Sequence, residues 1–190
     1  MEPHRVYEPV GSEVHEWLQG ATAEDRRALV DLGRQAPGGP LPRIRVQVVK
    51  ADERRRRLRQ SGLLWLSSAV LAMTAEVRRQ VEPLVGADGE FAELPSDDGE
   101  FWMFVPHVRE LLDEERSCVV RFDSGRIMYA TRYAFSGAGL AEVTAFRVPQ
   151  LATGPAFCSG RLVEALAAER GVTFAEVWPV KAGRSLKGLP

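Results

Sequence analysis

The stretch LLWLSSAVLAMTAEVRRQVEPLVGADGEFAEL (residues 63–94) is echoed further along the chain by PAFCSGRLVEALAAERGVTFAEVWPV (155–180). Each contains, in order, an aromatic residue, one further residue, a serine, an amphipathic helical pattern and a segment that starts Phe-Ala-Glu. A serine at a helix N-cap accepts a hydrogen bond from an otherwise unpaired N–H group and contributes about 1 kcal/mol. Ser67 and Ser159 are therefore predicted to cap helices that end near residue 82 and residue 170. The echo predicts two repeated helix–strand units, with coincidence as the alternative.

Several other segments have the patterns of β-strands. RIRVQVV (43–49) alternates apolar with charged or polar residues, which is typical of a strand with one buried face. EFWMFVP (100–106) is strongly apolar and predicts a buried strand. SCVVRF and GRIMYATRYAF (within 117–135) are rich in β-branched and aromatic residues and flank DSG, which predicts a hairpin. With SGAG (136–139) as a turn and LAEVTAFRV (140–148) as a third strand, the pattern predicts an antiparallel meander.

The N-terminal region has short elements of its own. Residues 1–10 are predicted to form an edge strand, and Thr22 is predicted to cap a helix over 23–34. Glu24 and Asp25 lie in its first turn, where negative charge suits the helix dipole. All these elements together predict an α+β fold: a mainly antiparallel sheet with a C-terminal meander, flanked by the two serine-capped helix–strand units.

One stretch divides the chain. APGGPLP (36–42) contains three prolines and two glycines, which interrupt regular structure. It predicts a linker between an N-terminal appendage (1–40) and a main domain (41–182), and leaves open whether the two pack together. The last residues, 183–190, are predicted to form a flexible tail.

Composition excludes several classes of protein. The 190-residue chain has 45% hydrophobic and 27% charged residues, as globular proteins do, and its net charge of −1 argues against a general polyanion binder. No apolar run approaches the ~20 residues that span a bilayer, and the N-terminus lacks the pattern of a signal peptide. We therefore expect a cytoplasmic protein without membrane contact. Cys118 and Cys158 form no metal pattern, and neither a metal nor a cofactor is expected.

Four stretches within residues 41–180 share one resemblance. LLWLSSAVLAMTAEV is similar to an apolar-serine-helix segment, and VRELLDEERSCVVRFDSGRIM to an aspartate followed by a polar stretch, a serine and a strand. AFRVP is similar to a Phe-Arg strand, and FCSGRLVEALAAERGVTFAEVWPV to a closing segment of serine, helix, glycine and Phe-x-x-Val. In these features the chain resembles bacterial polymorphic-toxin immunity proteins. The nearest pattern is that of numbered families eleven and forty-three of the group, which overlap older families of unknown function.

The resemblance implies a single-domain α+β protein that binds and neutralises a cognate bacterial toxin by protein–protein contact. It implies no catalysis and no cofactor. The chain departs from the pattern at Val172-Thr173, because the family often has a further glycine before the final phenylalanine. The residues that match the family motifs are Asp113, Ser117, Phe146, Ser159 and Phe174.

A toxin-binding surface needs aromatic or arginine anchors that polar residues surround. The candidates are Trp102, Tyr129, Arg132 and Tyr133, with Asp113 added from the immunity motif. Each anchor also fits a place in a hydrophobic core. The sequence therefore predicts candidate residues but no binding face.

Two other functions remain open. A small enzyme would use residues that meet only in the fold, for example His107, Asp113 and Cys118, with the histidine as a general base. A nucleic-acid-binding regulator would use the run Arg54–Arg59, because clustered arginines neutralise phosphates. Asp52 stands just before this run and no aromatic residues interleave it, so nucleic acid is the less expected partner.

Overall fold

The computed structural model describes residues 4–34, 39–151 and 154–179, so the predicted tail lies outside the described residues and the predicted linker lies partly outside them. The strands are β1 (Val6–Gly11), β2 (Trp17–Gly20), β3 (Val46–Val49), β4 (Leu63–Leu64), β5 (Leu71–Thr74), β6 (Gly89–Leu94), β7 (Phe101–Pro106), β8 (Cys118–Arg121), β9 (Ile127–Arg132), β10 (Ala145–Phe146), β11 (Phe157–Ser159) and β12 (Val172–Trp178). The helices are α1 (Ala23–Arg34), α2 (Ala75–Val85), α3 (Gly137–Leu140) and α4 (Gly160–Ala165). The predicted α+β class with mainly antiparallel sheet is confirmed.

Two four-stranded antiparallel sheets form the centre of the fold. The first has the strand order β4-β5-β7-β6, and the second has the order β10-β11-β1-β12. Two smaller sheets consist of β2 with β3 and of β8 with β9. The strands therefore divide among four sheets, and the two four-stranded ones form the central layers.

Strand β1 lies inside the second sheet, between β11 and β12. The prediction of an edge strand at residues 1–10 is therefore wrong: partners on both sides come from the far end of the chain, and a local pattern cannot reveal them. The first strand of the predicted appendage completes a sheet whose other strands follow residue 144.

Alternating side chains of the two sheets face different cores. Phe104 and Cys158 face a shared core between the sheets, which α2 and α4 also line. Met103, on the opposite face of the first sheet, packs in a second core with β2, α1 and β3. Phe157, on the opposite face of the second sheet, packs in a third core with residues of the β8–β9 region such as Ile127. The fold is thus two sheets back to back, each with its own outer cover.

The first predicted helix begins later than expected. Residues Val70–Met73 are at most 2% exposed, so this run has no polar side to give a helix and forms a strand buried on both faces. Thr74 is the actual N-cap of α2, with its Oγ1 accepting a hydrogen bond from the N–H of Val77. The prediction that Ser67 caps this helix is wrong. Its Oγ accepts from the N–H of Ala69 at 3.3 Å and closes a turn instead.

The second predicted unit is closer to the structure. Ser159 caps α4, since its Oγ accepts a hydrogen bond from the N–H of Leu162. The helix ends at Ala165 instead of residue 170, because Glu169 leaves the helical path and binds the backbone of Gly62. The two Phe-Ala-Glu segments lie in β6 and β12, as predicted.

The predicted hairpin is confirmed, but the predicted meander is wrong. SGAG leads into α3 instead of forming a turn between strands. Of the expected third strand, Ala145–Phe146 is extended, and it pairs with β11 instead of β9. The physical reason is the third core, where the buried ring of Phe146 stacks with Phe157 at 5.3 Å and so draws this segment to the second sheet.

Buried Arg147 ties α1 to the second half of the chain. Its Nε donates to the carbonyl of Pro106 and its Nη1 to the carbonyl of Leu32, both at 3.0 Å. Leu32 lies in the last turn of α1, where carbonyl groups lack partners within the helix and positive charge is favoured. Burial lowers the pKa of this guanidinium group, so the two carbonyl bonds compensate part of the cost of burying it.

We predict that Thr74→Ala lowers the free energy of unfolding by about 1 kcal/mol, because it removes the cap of α2. Ser67→Ala is the matched control and should change it by less than about 0.5 kcal/mol. Urea unfolding followed by circular dichroism measures both values. A larger loss for Ser67→Ala than for Thr74→Ala would contradict the assignment of the cap.

Candidate functional site

The β8–β9 hairpin is the most exposed regular element on the third core. Its turn is closed by backbone hydrogen bonds from Phe122 to Arg126 and from Gly125 to Phe122, each at 2.9 Å. Gly125 has φ +83°, a conformation that favours glycine, which explains the DSG sequence at this turn. Arg121 also donates to the Gly125 carbonyl at 2.9 Å. The sequence therefore fixes the shape of the tip.

The base of the hairpin is held by hydrogen bonds from Asp113 and Ser117. The Ser117 Oγ donates to the carbonyl of Asp113 at 2.6 Å and accepts from the N–H of Ala134 at 2.9 Å. The carboxylate of Asp113 accepts from the N–H of Arg116 at 3.1 Å. Asp113 and Ser117 therefore have structural roles here, since their polar groups are used to join the two ends of the hairpin.

Three apolar side chains of the hairpin remain open to solvent. Phe122 is 43% exposed, Met128 38% and Tyr129 48%, whereas Ile127 between them is buried. Tyr129 lies directly opposite Val120, so these two side chains share a face. Met128 and Tyr129 are neighbours along a strand and point to opposite faces. The hairpin thus presents exposed apolar groups on both of its faces.

Arginines surround these apolar groups. Arg126 and Arg132 are exposed, and Arg121 pairs with Glu114 at 2.7 Å. Six exposed side chains together form the hairpin surface: Arg121, Phe122, Arg126, Met128, Tyr129 and Arg132. Aromatic residues, methionine and arginine are the types that protein interfaces favour.

The predicted partner-binding residues separate into two groups. Tyr129 and Arg132 belong to the hairpin surface. Tyr133 instead packs inward, with its ring 5.1 Å from that of Phe157, and Trp102 lies on the first sheet with the Arg78 guanidinium 3.7 Å from its ring centre.

The environment of Tyr133 makes it part of the fold. Burial raises its pKa, and the charge of nearby Glu8 raises it further. Burial also raises the pKa of Glu8. The phenol therefore stays protonated, and its ring packs against Phe135 and Phe157 in the third core.

Phe122 and Met128 were not predicted from the sequence. In a hairpin of this length both look like ordinary apolar strand residues, and only the position of the third core decides which of them are left uncovered. The sequence signal that could have indicated them is that the two hairpin strands contain more apolar residues than one buried face can accommodate.

The alternative catalytic residues do not form a site. His107 is partly exposed, with its Nε2 4.0 Å from Glu90 Oε1. Asp113 closes the turn at the hairpin base, and Cys118 is exposed opposite Arg132. Within the described ranges, no hydrogen bond or ion pair joins these three residues, and no group of three or more His, Cys, Asp or Glu side chains could hold a metal ion.

One serine–histidine pair was missed by sequence reasoning. Ser12 Oγ and His15 Nδ1 lie 2.8 Å apart in the loop after β1. The same Oγ accepts from the N–H of Val14 at 3.4 Å, so the serine closes a turn. Among the residues that the structure describes, no carboxylate hydrogen-bonds to His15, and the pair lacks the third group that orients a catalytic base.

The arginine run forms a loop that hydrogen bonds to Asp52 stabilise. The Asp52 carboxylate accepts from the N–H groups of Arg54 and Arg56 and from Arg56 Nε, at 2.7–2.9 Å. These bonds, chiefly the backbone one from Arg56, lower the pKa of Asp52. Close by in sequence, Lys50 pairs with Asp98 at 2.6 Å, so acidic groups interrupt the basic surface. This arrangement does not make the continuous basic stripe that phosphate backbones need.

Cavities that open on the surface of the described residues include two of similar size. One, of about 470 Å³, is mainly polar, with His4, Glu142 and Arg161 in its lining. The other, of about 420 Å³, is mainly apolar, between Trp17 and Trp65. Neither is lined by His107, Asp113 or Cys118.

The chain matches no protein-family model and no curated protein. In the three described ranges, no helix is both long enough and apolar enough to cross a bilayer.

Burial raises the pKa of the Cys158 thiol from 9.0 to about 12, which rules against a nucleophilic thiolate at neutral pH. In the unfolded chain this thiol ionises near its ordinary value, so between about pH 9 and pH 12 the folded state holds a proton that the unfolded state has lost. The contribution to stability is complete below pH 9 and falls as the pH rises toward 12.

We predict that the stability difference between the wild type and Cys158→Ala shrinks as the pH rises through this window. Urea unfolding of both proteins at several pH values between 7 and about 11 measures the difference. A difference that stays constant would contradict the raised pKa.

Proposed function

We propose that this is a non-catalytic, immunity-like protein that binds and neutralises a cognate bacterial toxin through the hairpin surface. The observation that carries the proposal is the exposure of Phe122, Met128 and Tyr129 on one arm, beside Arg126 and Arg132. Aromatic residues, methionine and arginine are the side-chain types that protein interfaces favour, and here they are exposed together on one short element.

The build of the hairpin supports a binding role. A two-stranded sheet is marginal in water by itself, so this arm depends on its base and on buried Ile127. The fold itself gains little from the exposed Phe122, Met128 and Tyr129. A partner that covered them would gain apolar burial, and Arg126 and Arg132 would offer donors to its carboxylates.

Two further points favour binding over catalysis. The alternative enzyme residues are spread over separate places, and the Cys158 thiol is held neutral. The arginine run folds back on Asp52, which weakens the nucleic-acid alternative. The proposal includes a cytoplasmic location, which the free thiols of Cys118 and Cys158 favour because thiols persist in reducing compartments.

The test pairs the chain with candidate toxin domains encoded next to its own gene. Cells that express the toxin domain should grow when they also express the wild-type chain. The double variant Tyr129→Ala, Arg132→Glu should lose this protection and bind the purified toxin at least about 30-fold more weakly, as the loss of an interface hot spot does.

The matched controls are exposed residues on other elements. Val30→Ala removes an apolar side chain that is 50% exposed on α1, and Arg54→Glu reverses a charge in the arginine loop. Both should protect as the wild type does. All variants should unfold within about 0.5 kcal/mol of the wild type, because the side chains are on the surface.

The outcomes separate the two parts of the proposal. If the wild type protects and the hairpin variant protects equally well, the hairpin surface is the wrong face. If the wild type neither protects nor binds the toxin, the immunity function itself is wrong.

A further inference from the structure

The two Phe-Ala-Glu segments occupy the same place in their sheets. Residues 91–93 of β6 lie opposite residues 104–102 of β7, and residues 174–176 of β12 lie opposite residues 9–7 of β1. When the two sheets are aligned by their strand pairing, the two Phe-Ala-Glu segments are therefore equivalent, and β7 of the first sheet is equivalent to β1 of the second.

The same alignment also superposes the two helix caps. Thr74 is paired with Phe101 of β7, and Ser159 is paired with Val6 of β1. The partner of Phe91 is Phe104, three residues after Phe101. The partner of Phe174 is Pro9, three residues after Val6. The central strands β7 and β1 thus match without a gap over these residues. The outer strand β12 has an extra residue, Val177, that β6 lacks, since Val6 pairs with Trp178. A chance echo of three residues does not explain this match.

The surroundings of the sheets match as well. A parallel bridge joins Trp17 to Trp65, directly after β4, and another joins Val108 to Arg147, directly after β10. The N–H of Thr74 donates to the carbonyl of Gly62 at 2.8 Å, and the N–H of Ser159 donates to that of Thr144, also at 2.8 Å. Gly62 and Thr144 are therefore equivalent residues.

Each of these two residues is bound by a carboxylate from the other half. Glu169 Oε2 accepts from the N–H of Gly62, and Asp88 Oδ2 accepts from the N–H of Thr144, both at 2.6 Å. Glu169 lies between α4 and β12, and Asp88 lies between α2 and β6, so the two carboxylates are in equivalent connections. Reciprocal contact of this kind is the mark of a two-fold interface.

The elements follow one another in the same order in the two halves of the chain. Residues 6–94 run through a central strand (β1), a cover, two paired strands, a helix and a last strand, and residues 101–178 repeat this order from β7. Yet β1 lies in the sheet of the second series, and β7 lies in the sheet of the first. Each series supplies the central strand of the other.

We propose that the chain is a tandem duplication whose two repeats exchange their first strands, as the subunits of a strand-exchanged dimer do. The partner that each repeat is built to bind is the other repeat. It follows that neither repeat folds alone, although each contains a helix and its own outer cover. This inference is independent of the proposed toxin binding.

The test cuts the connection between the repeats in the full chain. A protease site inserted between Gly99 and Glu100 lies in an exposed loop, and cleavage there breaks no strand. The cleaved protein should remain a one-to-one complex of the two fragments in gel filtration and unfold in a single urea transition. After separation in denaturant, each fragment alone should lack a cooperative transition, and mixing should restore the original spectrum.

A second measurement uses the two carboxylates. Asp88→Ala and Glu169→Ala each remove a charged hydrogen bond between the fragments, so each should weaken fragment association by about 10- to 100-fold. Asp97→Ala is the control, because its ion pair with Arg45 lies within the first fragment and its loss should leave association unchanged.

Three results would overturn the inference. The fragments could separate without denaturant, or either could keep a cooperative unfolding transition by itself. In the carboxylate series, an effect of one variant without a similar effect of the other would show that the two contacts are not equivalent.

Discussion

A pair of reciprocal hydrogen bonds, from Gly62 to Glu169 and from Thr144 to Asp88, joins the two halves of this chain around one shared core. The approach of the backbones is close enough that a Cβ atom at position 171 would overlap the carbonyl oxygen of Leu63, which explains Gly171. Ser61 adds to the same junction by accepting from the N–H of Gly171 at 3.0 Å. Both sheets depend on this junction. It holds the residue before β4 against the connection from α4 to β12, and the residue before β10 against the connection from α2 to β6.

The shared core explains why the outer elements are free to differ. One sheet is covered by β2, α1 and β3, and the other by the hairpin region. Neither cover contributes to the core between the sheets. A rigid scaffold with variable attachments is a common way to carry a binding element, because the attachment can change without loss of the fold. The exposed aromatic and arginine side chains of the hairpin fit that division of roles.

The sequence predicted those features that depend on local pattern. The hairpin, the caps at Thr22 and Ser159, and the strands that contain Phe91 and Phe174 follow from turn chemistry, capping chemistry and periodicity. The two Phe-Ala-Glu segments were correctly predicted to lie in strands. The cap of the first helix was wrongly assigned to Ser67, because the apolar run after Ser67 has no polar side and forms a buried strand before the helix begins.

The features that failed depend on contacts between distant segments. No local signal indicates that β1 is interior or that Ala145–Phe146 pairs with β11 instead of β9. For the same reason, Tyr129 and Tyr133 look alike in the sequence, although one is exposed and the other packs against Phe157. Strand exchange reaches across the whole chain, and only the register of the sheets makes it visible.

Native-state hydrogen exchange of the intact chain tests the central claim most directly, because it measures the stability of each strand separately. If the repeats exchange central strands, the slowest amides of β1 and β7 should open with the same free energy, equal to that of global unfolding. The outer amides of the β8–β9 hairpin should open at a lower free energy. The account would be contradicted if β1 exchanged well before β7, as a frayed N-terminal strand attached to an independent domain would.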